Sequence, residues 1–402
     1  MRFPIFSKGC APMLGLSAVI FVPDDTAKTG LPQPLLLQNV LGAPLLAWLT
    51  DSLYNDGIGR FFLVCHDKYV QQACACLPPH AEVMTTMDSN PADLLHVFLS
   101  TTEADENDIT VVAGPTIYAP MLARRSGTPV TANVFRADRE FLMDSLDENF
   151  VFSRFLKDNC AVMSDYDGYF AVDSPAAALD MAIMLRRDRA LRLMKLGVEI
   201  FDPDNCYIFP GVRIESGVKL MPGCILRGRT IVRADSVIGP WSVIDDSEIG
   251  ENVKVYHSMI SNSKLAPDSM IGPYAHIRDG CEIGRGVRIG NFVEVKNARI
   301  REKTMASHLS YIGDAEIGSG CNFGSGTATV NFDRVNKHKT TIGNNAFVGC
   351  HTSLVAPVTV GDGAYIAAGS VITEDVPENA LGIARSRQSN KKDWAAKHKK
   401  QD

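Results

Sequence analysis

Nine residues, 331–339 (NFDRVNKHK), interrupt an otherwise apolar and regularly spaced stretch of the chain. A polar, basic excursion from an apolar scaffold is suited to holding a ligand phosphate. Five histidines lie in or beside the same regularly spaced stretch: His257, His276, His308, His338 and His351. Three imidazoles can ligate zinc. One neutral imidazole, titrating near neutral pH, can instead take a proton from a nucleophile. Residue type alone leaves both open, since a lone histidine is more often structural and a lone Lys or Arg is usually solvated. Ten cysteines are scattered without a CxxC pair. The nearest two, Cys74 and Cys76, match no common zinc spacing, so the cysteines read as buried thiols in a reducing cytosol.

Composition narrows the class. The 402 residues are 46% hydrophobic and 21% charged, with a net charge of -6. That suggests two or three globular domains and argues against a duplex-DNA binder, which would show a basic face. The N-terminal apolar run ends at Pro23 without a small-residue cleavage site and reads as a first buried strand, not a signal peptide. No stretch approaches bilayer length. A cytoplasmic protein without membrane insertion is expected.

The elements that position these residues come from a repeat. Counting by sixes from Ile208 gives Ile214, Leu220, Leu226, Val232, Ile238 and Ile244, all aliphatic. A second frame runs Ile271, Ile277, Ile283, Ile289, Val295, and a third Ile342, Val348, Leu354, Val360, Ile366, Ile372. Three six-residue sides make one triangular coil. The aliphatic residue points inward and stacks on its equivalents, so stability accumulates coil by coil. An antiparallel sandwich would alternate with period two and show hairpin turns. The fold class expected is an all-β left-handed parallel β-helix. Two frame breaks, one between Val295 and a Tyr311, Ile317, Phe323, Thr329 frame and one between Thr329 and Ile342, are expected to leave the coil as loops.

Residues 271–385 carry strings more specific than generic hexapeptides: IGPYAHIRDG, IGNFVEVKNARI, SHLSYIGDAEIG, GSGTATVNFD, NKHKTTIG, FVGCHTSLVAPVTVG and ENALGIARS. They resemble the acetyltransferase half of the bifunctional UDP-N-acetylglucosamine pyrophosphorylase/glucosamine-1-phosphate N-acetyltransferase family (GlmU-like). The resemblance implies acetyl transfer from acetyl-CoA, a cosubstrate, to the amine of an amino-sugar phosphate, with no metal needed, and it outweighs the zinc reading. It implies His308 as base and Asn331 as a residue at the acetyl group. For the sugar phosphate it implies Arg278, Glu294, Lys296, Tyr311, Asn322 and Lys337. For coenzyme A it implies Ser325, Asn331, Phe332, Cys350, Ala368 and Arg385. Phe332 stands where Tyr is expected and Cys350 where Ser is expected. Family sites lie between neighbouring prisms, which implies a homotrimer.

Ahead of the repeat, LSAVIFV (16–22), RFFLVC (60–65) and DITVVA (108–113) read as short buried strands, with a helix at 42–54. That order suggests an α/β, Rossmann-like layer with a parallel sheet, resembling the nucleotidyltransferase half of the same family. The family's Gly-rich triphosphate loop is replaced by a segment containing Asp24, Asp25 and Gln33. Gln33 stands in place of Lys, and Ala113-Gly114-Pro115 lacks the Mg²⁺-holding Asp. The expected metal-holding Asn near the domain's end is missing around Asp173-Ser174. Uridylyl transfer is therefore expected to be lost, with Mg²⁺ relevant only if this domain is active. Ser174 and Pro175 read as the N-cap and N1 of a linker helix ended by Gly197. The organisation expected is 1–172 α/β, 173–198 linker helix, 199–385 β-helix, 386–402 basic tail. Two other readings stay open: an enzyme with both activities, and a non-catalytic sugar-phosphate-binding paralogue.

Overall fold

The computed structural model describes residues 16–88, 91–102, 107–121, 133–159 and 168–398. Cys10 and Cys160 lie outside these. The chain divides into two compact units, Met1–Ile231 and Val232–Asp402.

In the first unit, five strands form one sheet in the order Glu82–Thr86, Ile58–Cys65, Leu16–Val22, Asp108–Val112, Val134–Asp138. The first four run parallel and the last is antiparallel to its neighbour. Alternation along Leu16–Val22 explains the two layers. Ala18, Ile20 and Val22 face the helix Leu45–Asn55, while Val19 faces Phe98 and Phe152. The strand at 16–22 and those near 60 and 108 lie where their apolar runs predict. Glu82–Thr86 has no fully buried residue, and Val134–Asp138 buries Val134, Phe135 and Ala137 around a charged Arg136, so neither shows a plain apolar run.

The helix Pro175–Lys195 begins at Ser174, whose hydroxyl accepts the Ala177 N–H at 3.2 Å. Gly197, at φ +88, leaves the helix in a left-handed turn. Asp51 ties this helix to the first β-helical turns of the same unit. One carboxylate oxygen accepts from Arg189, and the other from the Gly211 N–H at 2.9 Å and Arg213 at 3.0 Å. Burial pushes the Asp51 carboxyl up, but the two guanidinium groups outweigh it and hold it below the usual carboxylate range.

In the second unit, short parallel strands stack as three faces of a left-handed parallel β-helix. Its three edges are visible as columns of left-handed residues. Trp241, His257, Tyr274, Phe292, Leu309, Gly326, His351 and Gly369 form the first edge. Asp246, Asn262, Asp279, Asn297 and Asp314 form the second. Asp268, Lys303, Asn345 and Asn379 belong to the third. Asx residues are used here because they tolerate positive φ better than other side-chain-bearing residues. Inside, Ile271, Ile277, Ile289, Val295, Val348 and Val360 are fully buried, each contributing about 1.5–3 kcal/mol.

The strict sixfold count needs a correction. Inward residues recur at 18 between Ile277 and Val295, but at 17 along Ile283, Ile300 and Ile317. One side has lost a residue, so the break before Tyr311 is a phase shift absorbed at an edge and no loop leaves the coil there. Ile300, Ala306 and Ile312 take the inward positions, and Tyr311 turns outward. The second break is a loop. Across it the repeat widens to 25, from Phe323 to Val348, and residues 331–339 stand outside the coil between the strands Ala328–Val330 and Thr340–Ile342.

Candidate active site

Two long strands, Arg288–Lys296 and Met305–Gly313, each bend round the first edge and cover parts of two faces. His308 sits at that bend, exposed, immediately before Leu309 at φ 41. The coils stack here by backbone bonds: Gly326 N–H to Leu309 O (2.8 Å), His351 N–H to Ser325 O (2.7 Å), Gly369 N–H to Cys350 O (2.8 Å). His308, Ser325, Cys350 and Ala368 therefore form one column along one edge. Arg385 continues it, its Cδ lying 3.6 Å from where a β-carbon on Gly369 would stand. Of the ten cysteines, eight are described and all are free. Burial pushes the Cys281 and Cys321 thiols up, but Cys350 is exposed, which corrects the expectation of uniformly buried thiols.

The face between the first and second edges carries the next group. Register puts Glu294 beside Tyr311, and Arg278 beside Lys296. Arg278 donates to Glu294 Oε1 from Nε (2.9 Å) and from the terminal nitrogen (2.7 Å), and to Asp279 at 2.7 Å. The hydrogen bond to Glu294 is the main cause raising the Arg278 pKa, so this guanidinium stays charged throughout the working range. Lys296 Nζ stands 3.9 Å from Asp279. The Tyr311 ring lies over Gly313: a β-carbon there would come within 2.6 Å of the phenol's Cζ. Gly313 is a residue of the site that sequence reasoning missed.

The phenol points toward Asn331, whose Nδ2 lies 3.5 Å from the Tyr311 hydroxyl and donates to Asp314. Asn331 is buried at 8% exposure. Its amide hydrogens thus face Asp314 and Tyr311, leaving Oδ1 as an acceptor. The loop then folds back, with Phe332 bridging Lys337 antiparallel and the His338 N–H donating to Asn331 O at 2.8 Å. Asp333 holds the turn by accepting the Val335 and Asn336 N–H groups at 2.8 and 2.6 Å and His338 Nε2 at 2.7 Å. The Asn336 N–H first, then His338 and the Val335 N–H, hold its carboxyl well below the usual carboxylate range. Lys337, Asn297 and Asp314 line a cavity of about 570 Å³ beside the second edge.

Asn322 is not brought to this group. It lies on the face beyond His308, paired in register with Met305 and Phe347. Phe332 is 56% exposed. Among the described residues no group of three or more His, Cys, Asp or Glu is placed to hold a metal. Nor is any helix among them long and apolar enough to cross a membrane.

Comparison with known proteins bears on this geometry. The family described as "Bacterial transferase hexapeptide (six repeats)" matches residues 262–297 and 339–374. "Bifunctional protein GlmU" of Clostridium acetobutylicum is 46% identical over 237 residues, 59% of this chain and 52% of that protein. GlmU of Brevibacillus brevis is 52% identical over 204 residues, 51% of this chain and 44% of its own. The chain resembles the bifunctional GlmU proteins. It spans about half the length of these GlmU relatives. Among solved structures, the UDP-N-acetylglucosamine acyltransferase of Francisella novicida is 17% identical, with a TM-score of 0.30. It covers 46% of this chain and 66% of that one, a likeness too weak to bear on chemistry.

In the first unit the segment from Asp24 to Gln33 carries its own hydrogen bonds. Asp24 accepts from the Thr26 hydroxyl at 2.6 Å, and Asp25 accepts the Leu35 N–H at 2.9 Å. Gln33 donates to Leu37 O at 2.6 Å and accepts from Gln72 at 2.9 Å. The hydrogen bond from Thr26 lowers the Asp24 pKa, so it is an anion at neutral pH. The segment carries two carboxylates, Asp24 and Asp25.

Proposed function

We propose that the chain transfers acetyl from acetyl-CoA to the amine of glucosamine 1-phosphate, giving N-acetylglucosamine 1-phosphate for UDP-N-acetylglucosamine and cell-envelope synthesis. The observation that carries this reading is the single column of His308, Ser325, Cys350 and Ala368, flanked by Tyr311 and Asn331. It places a candidate base at one end of a row of residues drawn from four successive coils.

In this reading Arg278, Lys296 and Lys337 hold the phosphate, with Glu294 fixing the Arg278 fork. Asn331 presents Oδ1 to an amine N–H and so orients the nucleophile. The amine nitrogen attacks the thioester carbonyl, and its proton passes to His308. The C–N bond forms as the C–S bond breaks, and the proton goes on to the departing thiolate. Ser325, Cys350, Ala368, Phe332 and Arg385 contact the coenzyme. Asn322, on the far side of the first edge, reaches a site on a neighbouring prism, and the working form is a homotrimer. The chain works as an α/β region (1–172), a linker helix (173–198), the catalytic prism (199–385) and a basic tail (386–402).

CoA release with glucosamine 1-phosphate tests the reading. His308→Ala is expected to slow it by roughly 10²–10⁴-fold; an unchanged rate removes His308 as base. Uridylyl transfer is absent in this reading, supported by the carboxylates at 24 and 25 and by the hydrogen-bonded Gln33. Pyrophosphate release from UTP, Mg²⁺ and N-acetylglucosamine 1-phosphate would overturn that part alone.

A further inference from the structure

Among the described residues His308 has one side-chain hydrogen-bond partner. Its Nδ1 lies 2.6 Å from Asn291 Oδ1 on the adjacent coil, paired with it in register. A carbonyl oxygen can only accept, so Nδ1 carries the hydrogen. The close approach has a local cause. Gly290 precedes Asn291, and a β-carbon there would come within 2.7 Å of the Ser307 carbonyl carbon, so glycine lets the two coils touch at this edge. The Ser310 hydroxyl donates to His308 O at 2.8 Å, fixing the bend from the other side.

We infer that Asn291 is the positioning residue of the His308 base, holding the Nδ1–H tautomer so that Nε2 presents its lone pair along the edge toward the Ser325 column. The catalytic meaning rests on the acetyl-transfer reading, while the tautomer does not. An amide differs in kind from the carboxylate often found behind a catalytic histidine. It selects the tautomer without a charge that would stabilise imidazolium. His338 shows the contrast within the same prism, since its Nε2 meets the carboxylate of Asp333. The residues at the matching place on the coils either side of His308, Asn291 and Ser325, are both uncharged.

Two measurements on the full chain test this. ¹⁵N NMR of the His308 ring at neutral pH is expected to show the Nδ1–H form in the unmodified chain and a shift toward Nε2–H in Asn291→Ala. An Nε2–H ring in the unmodified chain overturns the inference whatever the activity. In CoA release, Asn291→Ala is expected to lower kcat by about 10–100-fold, the range for loss of a partner that orients a reactive histidine, with KM for acetyl-CoA unchanged. Asn291→Asp is expected to recover most of kcat and move the acidic limb of the pH profile upward, because a carboxylate stabilises imidazolium. A kcat within twofold for Asn291→Ala, with an unmoved profile, also overturns it. If the unmodified chain shows Nδ1–H but no acetyl transfer to any amino-sugar phosphate, the functional reading falls and the positioning geometry stands.

Discussion

The Tyr311 phenol lies across Gly313, two residues on in the same strand, in space that any side chain at 313 would fill. The glycine sets the direction of the ring and brings its hydroxyl to Asn331. Under the proposed acetyl transfer, Gly313→Ala should therefore act on the sugar-phosphate end of the site. KM for glucosamine 1-phosphate is expected to rise about tenfold or more, with KM for acetyl-CoA little changed. The coil should persist, at about 1–3 kcal/mol lower stability from overpacking. Steady-state kinetics in both substrates and a thermal melt check this, and an equal rise in both KM values would contradict it.

Lys337 differs from the other two cations. Arg278 is held by Glu294 and Asp279, and Lys296 stands near Asp279. Lys337 comes from the loop, beside the cavity at the second edge. Lys337→Ala is expected to raise KM for the phosphorylated acceptor by roughly tenfold, the effect shrinking as salt is raised. Arg278→Lys is expected to lose more than a point charge would, because the fork to Glu294 cannot be rebuilt by an ammonium. Comparing both variants at low and high ionic strength separates the two roles.

Much of this was legible in the residues. The inward column from Ile271 to Val295 is buried as its spacing requires, and the loop at 331–339 stands where the repeat fails. The Ser174 cap and the strand at 16–22 were equally plain, because each depends on local chemistry. What could not be read depends on relations between coils. A coil shortened by one residue looks like an insertion when counted from the wrong side, so the count by sixes puts Tyr311 in the frame although Ile312 fills the inward place. Gly290 and Gly313 look like ordinary corner or strand glycines until the neighbouring side chains are placed. The Asn291–His308 pair spans 17 positions, one coil shortened by a residue, so the count by sixes misses it.

Asp51 joins the helix Leu45–Asn55 to Arg189 of the long helix and to Gly211 and Arg213. Removing it leaves two guanidinium groups without their counter-charge, one of them buried. Asp51→Ala is expected to cost about 3–5 kcal/mol, the usual loss when one partner of a buried pair is deleted. The pH dependence has a definite sign. The folded carboxyl titrates below its unfolded value of about 3.9. Its stabilisation is complete above that value and is lost as pH falls toward the folded one. Denaturant melts of the parent between pH 7 and pH 3 should show this acid-side loss, and the Asp51→Ala chain should show less of it.

The loop carries its own acid test. Asp333 accepts two backbone N–H groups and His338, and the bonds from Asn336 and Val335 are strengthened by the charge of the ionised carboxylate. Because the folded carboxyl lies well below the usual range, the turn keeps its contribution down to the unfolded value near about 4 and loses it only under stronger acid. Asp333→Asn keeps an acceptor oxygen but removes the charge that strengthens all three bonds. Hydrogen exchange at the Val335 and Asn336 amides is expected to quicken by about tenfold or more in Asp333→Asn at neutral pH. The β-helix amides of Val348 and Ile366 should be unmoved, since their bonds lie in the stacked coils. Because Lys337 rides on this turn, the same variant should also raise KM for the sugar phosphate. Faster exchange without any change in that KM would show that the loop's order and its binding role are separate.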